Sequence, residues 1–237
     1  MTNLYLIRHA EALGAVHNII GDTALSPLGI MQAERLRDRL AATGEIAAEV
    51  LISSTFVRAR QTAEIIAPAL DLTIVLDDEV QELRDGAAEG MPVKEYRARY
   101  GEVNFRETPF RQVAPAGENW GQFALRVGTA LDRITRQYEG KTIVIVCHGG
   151  VIGVSFLYFF GIGTLQYPQT GFDTDNTSIT HWAKRSISGR PSRWRLVCYN
   201  DDMHLRDIES LVRIPWEAIS ARPAEGAEQP VVPLEEE

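Results

Sequence analysis

The sequence predicts an α/β fold: a three-layer α/β/α sandwich around a mostly parallel sheet of six strands. Short apolar runs alternate along the chain with longer segments of helical periodicity, which is typical of helices covering both faces of a sheet. The run TIVIVC is β-branched and lacks polar residues, as expected for a parallel strand buried on both faces. No internal repeat divides the chain, so one large domain accounts for its 237 residues.

Each predicted strand is a short apolar run bounded by polar or turn residues. The six strands are Leu4–Ile7, Glu49–Ile52, Thr73–Leu76, Thr142–Cys147, Ser178–Trp182 and Trp194–Tyr199.

The first long helix shows clear signals at both of its ends. Ser26 is predicted as the N-cap, Pro27 as the first helical residue, and Gly44 follows the last turn. The residues assigned to its apolar face are Ile30, Ala33, Leu36 and Leu40. The other predicted helices cover about 55–70, with Thr55 as cap, a short piece at Val93–Tyr100, about 118–138, and a segment beginning after His148.

Composition excludes several function classes. The net charge of −8 and the pI near 5.2 disfavour binding to nucleic acid or to an anionic membrane, but allow a small anionic substrate in a locally basic pocket. The two cysteines, Cys147 and Cys198, form no disulfide framework. With no signal-peptide pattern at the N-terminus, we expect a cytoplasmic protein.

The apolar stretch 142–163 is long enough to span a bilayer. However, His148-Gly149-Gly150 interrupts it, and its first half has the composition of a buried strand. We therefore expect a strand followed by a helix. We expect the domain to cover 1–207, with an insertion at about 91–116 that forms a lid or pocket wall, and 208–237 to be a partly disordered tail rich in Pro, Ala and Glu.

Titratable side chains gather where the predicted strands end. Arg8 and His9 follow the first strand, Arg58 the second, Glu82 the third and His148 the fourth. Because the carboxyl ends of parallel strands lie along one edge of a sheet, these five residues are expected to converge. The alternative is structural, with Arg8 in a salt bridge and His9 in the core.

This set suits phosphoryl transfer. Two guanidinium groups match the oxygens of a phosphate, and the helix N-terminus after Gly149 adds backbone donors. One neutral histidine would attack phosphorus while the other stays protonated and donates to an equatorial oxygen, and a carboxyl would protonate the leaving alcohol. No metal or other cofactor is required. A zinc site formed by His9, His148 and Glu82 is conceivable, but the two arginines would disfavour a divalent cation.

Four motifs, taken in order, resemble those of the histidine phosphatase superfamily, the phosphoglycerate-mutase-like group. They are Arg8-His9-Ala10-Glu11, Arg58-Ala59-Arg60-Gln61-Thr62-Ala63, Glu82…Gly86…Glu89-Gly90 and His148-Gly149-Gly150. The resemblance extends from residue 4 to about residue 200. It implies a phosphohistidine intermediate at His9, phosphate binding by Arg8, Arg58 and His148, and proton donation by Glu82.

Some positions depart from the family pattern. Ala10 replaces the glycine that usually follows the nucleophile, and Ala15 stands where an asparagine is usual. We expect Asn18 to supply that phosphate contact instead. Asn176 is expected near the phosphate pocket, although a turn would also explain it. The usual Ser-Pro-Leu before the second arginine is Ser54-Thr55-Phe56.

The short insertion resembles that of the phosphatase branch, so we expect a phosphomonoesterase acting on a small phosphorylated metabolite. A mutase and a non-catalytic member that binds phosphate esters or partner proteins remain alternatives, and a homodimer is possible through an exposed sheet edge. The insertion's basic residues either reach a second anionic group of the substrate or lie on a solvated face paired with glutamates. They are Lys94, Arg97, Arg99, Arg106 and Arg111.

Aromatic residues offer another way to recognise a substrate. Phe105, Phe110 and Trp120 are candidates for an apolar wall against an aromatic or nucleoside-like leaving group.

Other titratable residues are assigned structural roles. Glu89 is expected to bridge near Gly90, His181 to pack in or on a strand, His204 to lie on a solvated face, and Cys147 to belong to the core.

Overall fold

The structure, a computed structural model, describes residues 1–163, 167–185 and 191–206. Its strands are β1 (Thr2–Arg8), β2 (Val50–Ser54), β3 (Ile74–Asp77), β4 (Thr142–Cys147), β5 (Ile179–Arg185) and β6 (Arg193–Asp201). Its helices are α1 (Leu13–His17), α2 (Pro27–Thr43), α3 (Val57–Leu70), α4 (Val93–Tyr100), α5 (Trp120–Gln137) and α6 (Gly149–Phe160). Short 3₁₀ turns cover Asp78–Val80, Gly86–Ala88 and Met203–Leu205.

The six strands form one sheet in the order β3-β2-β4-β1-β5-β6. The pairs β2–β3, β2–β4 and β1–β4 are parallel, whereas β5 is antiparallel to both β1 and β6. This confirms the predicted α/β fold with a mostly parallel six-stranded sheet. It also places the carboxyl ends of β1, β2 and β4 next to one another.

Apolar residues cover both faces of the sheet. Leu4, Leu6 and Ile143 belong to one buried cluster, which includes residues of α5 and α6. Ile7 and Val144 belong to a second cluster, which includes residues of α2 and α3. Successive side chains of a strand point to opposite faces, so β1 and β4 each supply both clusters.

Helix α2 begins as predicted, with the Ser26 hydroxyl accepting the backbone N–H of Gly29 at 2.9 Å. The prediction of Ile30 on its buried face is wrong, since that side chain is 45% exposed. The buried face instead includes Gly29, where the backbone approaches Glu11 so closely that a Cβ would lie 2.0 Å from the Glu11 carbonyl oxygen. This contact turns the neighbouring Ile30 toward solvent.

The prediction of Thr55 as the cap of α3 is also wrong. The helix begins at Val57, and Phe56 occupies the N-cap position without a side-chain hydrogen bond. Asp22, from a distant loop, accepts the Val57 N–H at 2.5 Å instead.

The insertion is joined to the chain segment that follows α1. Ile20 N–H donates to the Met91 carbonyl, Gly90 N–H to the Ile20 carbonyl, and Val93 N–H to the Asn18 carbonyl. Helix α4 has no buried residue.

The stretch 142–163 contains β4 and α6, as predicted. Within the described ranges, no helix is both long and apolar enough to cross a membrane. Met1–His204 form a compact unit. The predicted tail, 208–237, lies outside the described residues, and the predicted domain boundary at 207 stays a prediction.

Candidate active site

The candidate site lies where β1, β2 and β4 end. Arg8 is the last residue of β1, and His9 follows it directly. Arg58 is the second residue of α3, and His148 occupies the N-cap of α6 immediately after β4. The rings of His9 and His148 are 5.1 Å apart between centroids. The convergence expected from the strand order is therefore present for these four side chains.

The tautomer of His9 follows from its contacts. Its Nδ1 lies 2.7 Å from the carbonyl oxygen of Ala10, which can only accept, so Nδ1 carries the proton. Its Nε2 is then unprotonated, and its lone pair accepts a hydrogen bond from Arg58 Nε–H at 3.2 Å. The arrangement leaves Nε2 as the nucleophilic atom, with a guanidinium beside the place where a phosphoryl group would bind.

Arg58 is held by a residue that the sequence analysis missed. Its Nη1 donates to the Asp22 carboxylate at 3.1 Å and to the Gly21 carbonyl at 3.1 Å. The same carboxylate caps α3 at Val57. Asp22 therefore fixes both the helix start and the guanidinium that projects from its first turn.

His148 is fully buried and has a second missed partner. Its Nε2 lies 2.8 Å from the hydroxyl oxygen of Ser54, which already accepts the Phe56 N–H at 3.2 Å. The buried hydroxyl needs an acceptor for its proton, and Nε2 of His148 is that acceptor. Nε2 is therefore unprotonated, and the ring proton of His148 is on Nδ1. That Nδ1 is buried and has no hydrogen-bond partner within the described part of the chain. It is thus free to donate to a phosphoryl oxygen.

Burial lowers the pKa of both histidines well below the ordinary value. For His9, the charges of Arg58 and Arg8 lower the pKa further. For His148, His9 and the same two arginines do so. We expected His148 to stay protonated, but these directions favour the neutral ring, which still donates through Nδ1.

Arg8 and Thr174 form the polar part of a second cavity. Arg8 Nη1 donates to the carbonyl oxygen of Thr174, while Arg8 Nε and Thr174 Oγ1 are buried and have no partner among the described residues. A Cβ at Gly149 would lie 3.7 Å from Arg8 Nε and 3.6 Å from Thr174 Oγ1. These are ordinary van der Waals distances, so both polar atoms lie beside the N-terminus of α6.

Glu82 contacts the same helix end. One carboxylate oxygen accepts the Gly150 N–H at 2.9 Å, and the other accepts the Leu83 N–H at 3.1 Å. Gly150 is required for this approach, because a Cβ there would lie 2.2 Å from the Glu82 carboxylate.

Asn176 supports the nucleophile through the backbone. Its amide donates to the His9 carbonyl at 2.9 Å, and the next residue, Thr177, donates its N–H to the Arg8 carbonyl at 3.0 Å. His204 lies 2.9 Å from the Thr177 hydroxyl through Nε2 and is half-buried, with a pKa lowered by burial to about 4. The expectation that His204 lies on a solvated face is therefore wrong, because its ring packs behind this segment.

The structure does not bring Asn18 to the other site residues. Asn18 follows α1 in the left-handed conformation, at φ 54°, and is exposed. A cavity of about 190 Å³ at His9 is lined by Arg8, Arg58, Asn176 and the α1 residues Gly14 and Ala15, among others, but not by Asn18. Ala10 adopts no left-handed backbone, and it is buried in a cluster with Leu25 and Ala33.

The residues assigned structural roles have partners outside the reaction set. Glu89 accepts the Asp22 N–H at 2.7 Å, His181 stacks on Tyr5 at 4.0 Å, and Cys147 is fully buried in the core. Within the insertion, Arg97 pairs with Glu102 at 2.9 Å. Among the described residues, no group of three potential metal ligands of the His, Cys, Asp and Glu types occurs.

Sequence patterns gave little reason to choose Asp22, Ser54 or Thr174. Asp22 follows Gly21 in a loop, a context shared by many turn residues. Ser54 keeps the serine of the family's Ser-Pro-Leu motif while Thr55 and Phe56 depart from it, and this retained serine was the available signal.

Together, the fold and the site define an α/β enzyme with two histidines and two arginines at the carboxyl edge of its sheet. The family model described as histidine phosphatase superfamily (branch 1) matches residues 4–202. The chain belongs to this superfamily.

Relatives in the family carry both phosphatase and mutase names. A probable phosphoglycerate mutase GpmB of Yersinia pestis is 30% identical over 213 residues, covering 86% of this chain and 95% of the relative. A phosphoserine phosphatase mutant from Entamoeba histolytica, in complex with phosphoserine, is 28% identical with a TM-score of 0.67, covering 86% of this chain and all of the other. YhfR of Bacillus stearothermophilus is 29% identical with a TM-score of 0.68 and the same coverage.

Proposed function

We propose that this protein is a metal-independent phosphomonoesterase that acts on small phosphorylated metabolites through a phosphohistidine at His9. The observation that carries the proposal is the orientation of the His9 ring. Nδ1–H is held by the Ala10 carbonyl, so the Nε2 lone pair is directed toward the space beside Arg58 and His148.

In the first step, His9 Nε2 attacks phosphorus and the bond to the leaving oxygen breaks, while Glu82 gives that oxygen a proton. Arg8, Arg58 and the Nδ1–H of His148 stabilise the charge on the other phosphoryl oxygens. In the second step, Glu82 takes a proton from water, which attacks the phosphohistidine. Inorganic phosphate leaves, and the neutral ring of His9 is restored.

Water is the proposed acceptor because the insertion is short and exposed. Helix α4 has no buried residue, so it offers little to exclude water from a phosphohistidine. The similarity to a phosphoserine phosphatase supports hydrolysis. Similarity to a probable phosphoglycerate mutase favours isomerisation as the second candidate.

The test compares hydrolysis of p-nitrophenyl phosphate with isomerisation of 3-phosphoglycerate, using EDTA-treated protein. We expect hydrolysis to survive EDTA, to exceed isomerisation and to vanish in His9→Ala. His17→Ala is the matched control, because His17 is an exposed histidine at the end of α1. Faster isomerisation would make the protein a mutase. Binding of phosphate esters without either reaction would make it a non-catalytic member.

A further inference from the structure

A second cavity adjoins the site and shares Arg8 with the His9 cavity. It has a volume of about 290 Å³, and we call it the side chamber. Its lining includes Arg8, Gly149, Trp120, Tyr167, Phe172 and Thr174. The proposed mechanism uses the Arg8 end of this space but gives the rest of it no role.

The inner end of the side chamber is polar and incompletely satisfied. Arg8 Nε and Thr174 Oγ1 are buried there and lack hydrogen-bond partners among the described residues. Buried polar atoms without partners are destabilising, so an oxygen-bearing ligand would satisfy both atoms. A phosphoryl oxygen fits because Arg8 supplies positive charge and α6 presents its N-terminus at Gly149.

The outer end is aromatic. The ring of Trp120 meets that of Tyr167 edge to face at 4.6 Å, and Phe105 stacks on Tyr167 at 5.8 Å. Phe172 is held by a stacked contact with Phe156 at 4.0 Å. Of the three residues predicted for an aromatic wall, Trp120 lines the chamber and Phe105 contacts Tyr167, whereas Phe110 is 62% exposed and lies outside the chamber lining.

Gly153 lines the side chamber and contributes no side chain to it. A Cβ at Gly153, one turn after the N-terminus of α6, would meet no heavy atom within 4 Å. The missing side chain therefore leaves room for a ligand rather than for a packed neighbour.

An apolar groove continues from the side chamber. This outer groove has a volume of about 800 Å³ and shares Tyr167, Pro168 and Phe172 with the chamber. Leu157, Phe160 and Ile162 add further apolar surface. A ligand longer than the chamber would thus remain in apolar contact.

The charged residues that line the chamber disfavour ligands with several negative charges. Of the residues described around it, Arg8 is the one cation, and Asp173 adds a carboxylate. Sugar hydroxyls would lose water against aromatic rings that return few hydrogen bonds, which is costly. A phosphate at one end and an apolar group at the other match the chamber best.

We propose that the side chamber is the leaving-group subsite and that the enzyme prefers phosphate monoesters of apolar alcohols. This inference rests on the proposed function for its catalytic meaning, but the binding part can be tested without turnover. The probes are n-alkylphosphonates from methyl to hexyl, which bind but are not hydrolysed, and the matching n-alkyl phosphates, whose leaving groups have similar basicity.

With wild-type protein, calorimetry should show the affinity for alkylphosphonates rising about fourfold for each added methylene. The kcat/KM for the alkyl phosphates should rise in parallel. Affinity that is independent of chain length would overturn the inference, even if the phosphates are hydrolysed. Length-dependent affinity without hydrolysis of any ester would overturn the proposed function and keep the subsite.

Two variants locate the effect. Gly153→Leu should fill the chamber and abolish the dependence on chain length, while methylphosphonate still binds. Trp120→Ala should reduce the gain per methylene, and Phe110→Ala is its aromatic control outside the chamber. If Gly153→Leu retains the wild-type dependence on length, the alkyl chain binds elsewhere and the inference is wrong.

Discussion

The Ser54 hydroxyl oxygen lies 2.8 Å from Nε2 of His148, and both residues are fully buried. The same oxygen accepts the Phe56 N–H, so its proton is directed to the imidazole. This contact assigns the remaining ring proton to Nδ1, which faces no protein partner among the described residues. A serine on β2 thereby sets the hydrogen-bonding role of the histidine that follows the neighbouring β4.

Ser54→Ala should lower kcat about tenfold with little change in KM, because His148 would no longer be restricted to the Nδ1–H tautomer. Nitrogen-15 NMR of His148 checks the cause: one tautomer in the wild type and a mixture in the variant. Ser53→Ala is the matched control, since Ser53 is also buried in β2 but donates to the Ser54 carbonyl. Equal losses in the two variants would reject the tautomer explanation.

The pH profile should reflect the lowered pKa of His9. The free enzyme needs this ring neutral, and burial, Arg58 and Arg8 all disfavour its protonation. The acidic limb of kcat/KM, corrected for ionisation of the substrate, should therefore lie below about 6.5. A limb at or above that value would contradict the described environment of His9.

Asp22→Ala should weaken inhibition by inorganic phosphate about tenfold, because Arg58 loses the carboxylate that orients it. It should also lower the unfolding temperature, since Val57 loses its cap. Asp22→Asn retains one carbonyl oxygen. Relative to Asp22→Ala, it should recover a larger share of the lost stability than of the lost phosphate affinity. Full phosphate affinity in Asp22→Ala would show that Arg58 needs no such support.

Glu82→Gln should reduce turnover of alkyl phosphates about a hundredfold and of p-nitrophenyl phosphate much less, because nitrophenolate needs no proton to leave. The amide preserves an acceptor for the Gly150 N–H, so folding should be retained. Glu79→Gln, on the preceding turn, is the control. Equal losses with both substrates would remove Glu82 from the acid role.

Asp85→Asn should change stability in a pH-dependent manner. Burial, with the charges of Glu89 and Glu82, raises the pKa of Asp85 to about 6, above its ordinary 3.8. The folded state therefore holds this proton more tightly than the unfolded chain, and the associated stability is lost as pH rises through 6.

In denaturant titrations, Asp85→Asn should be about 2 kcal/mol more stable than wild type at pH 8 and nearly equal to it at pH 4. The exposed Asp38 provides a control through Asp38→Asn, for which no such difference between the two pH values is expected. A constant difference across pH would show that Asp85 ionises normally.

Local sequence signals were enough to predict the strands, the long helices and the convergence of four site residues. These features depend on local signals: apolar periodicity, the Ser26-Pro27 helix start, and the rule that parallel strands share one carboxyl edge. Arg8, His9, Arg58 and His148 each lie within two residues of a strand end or helix start, so little further folding information was needed.

The groups that hold these residues in place could be identified from the folded structure but not from the sequence. Asp22 replaces Thr55 as the cap of α3, and Ser54 at the end of β2 fixes His148 at the start of α6. His204 is half-buried behind the site, whereas Asn18 remains exposed. These outcomes depend on contacts between segments that are far apart in the chain. The contacts are made by loops and buried polar atoms, which follow no periodic pattern and therefore leave no periodic signal in the sequence.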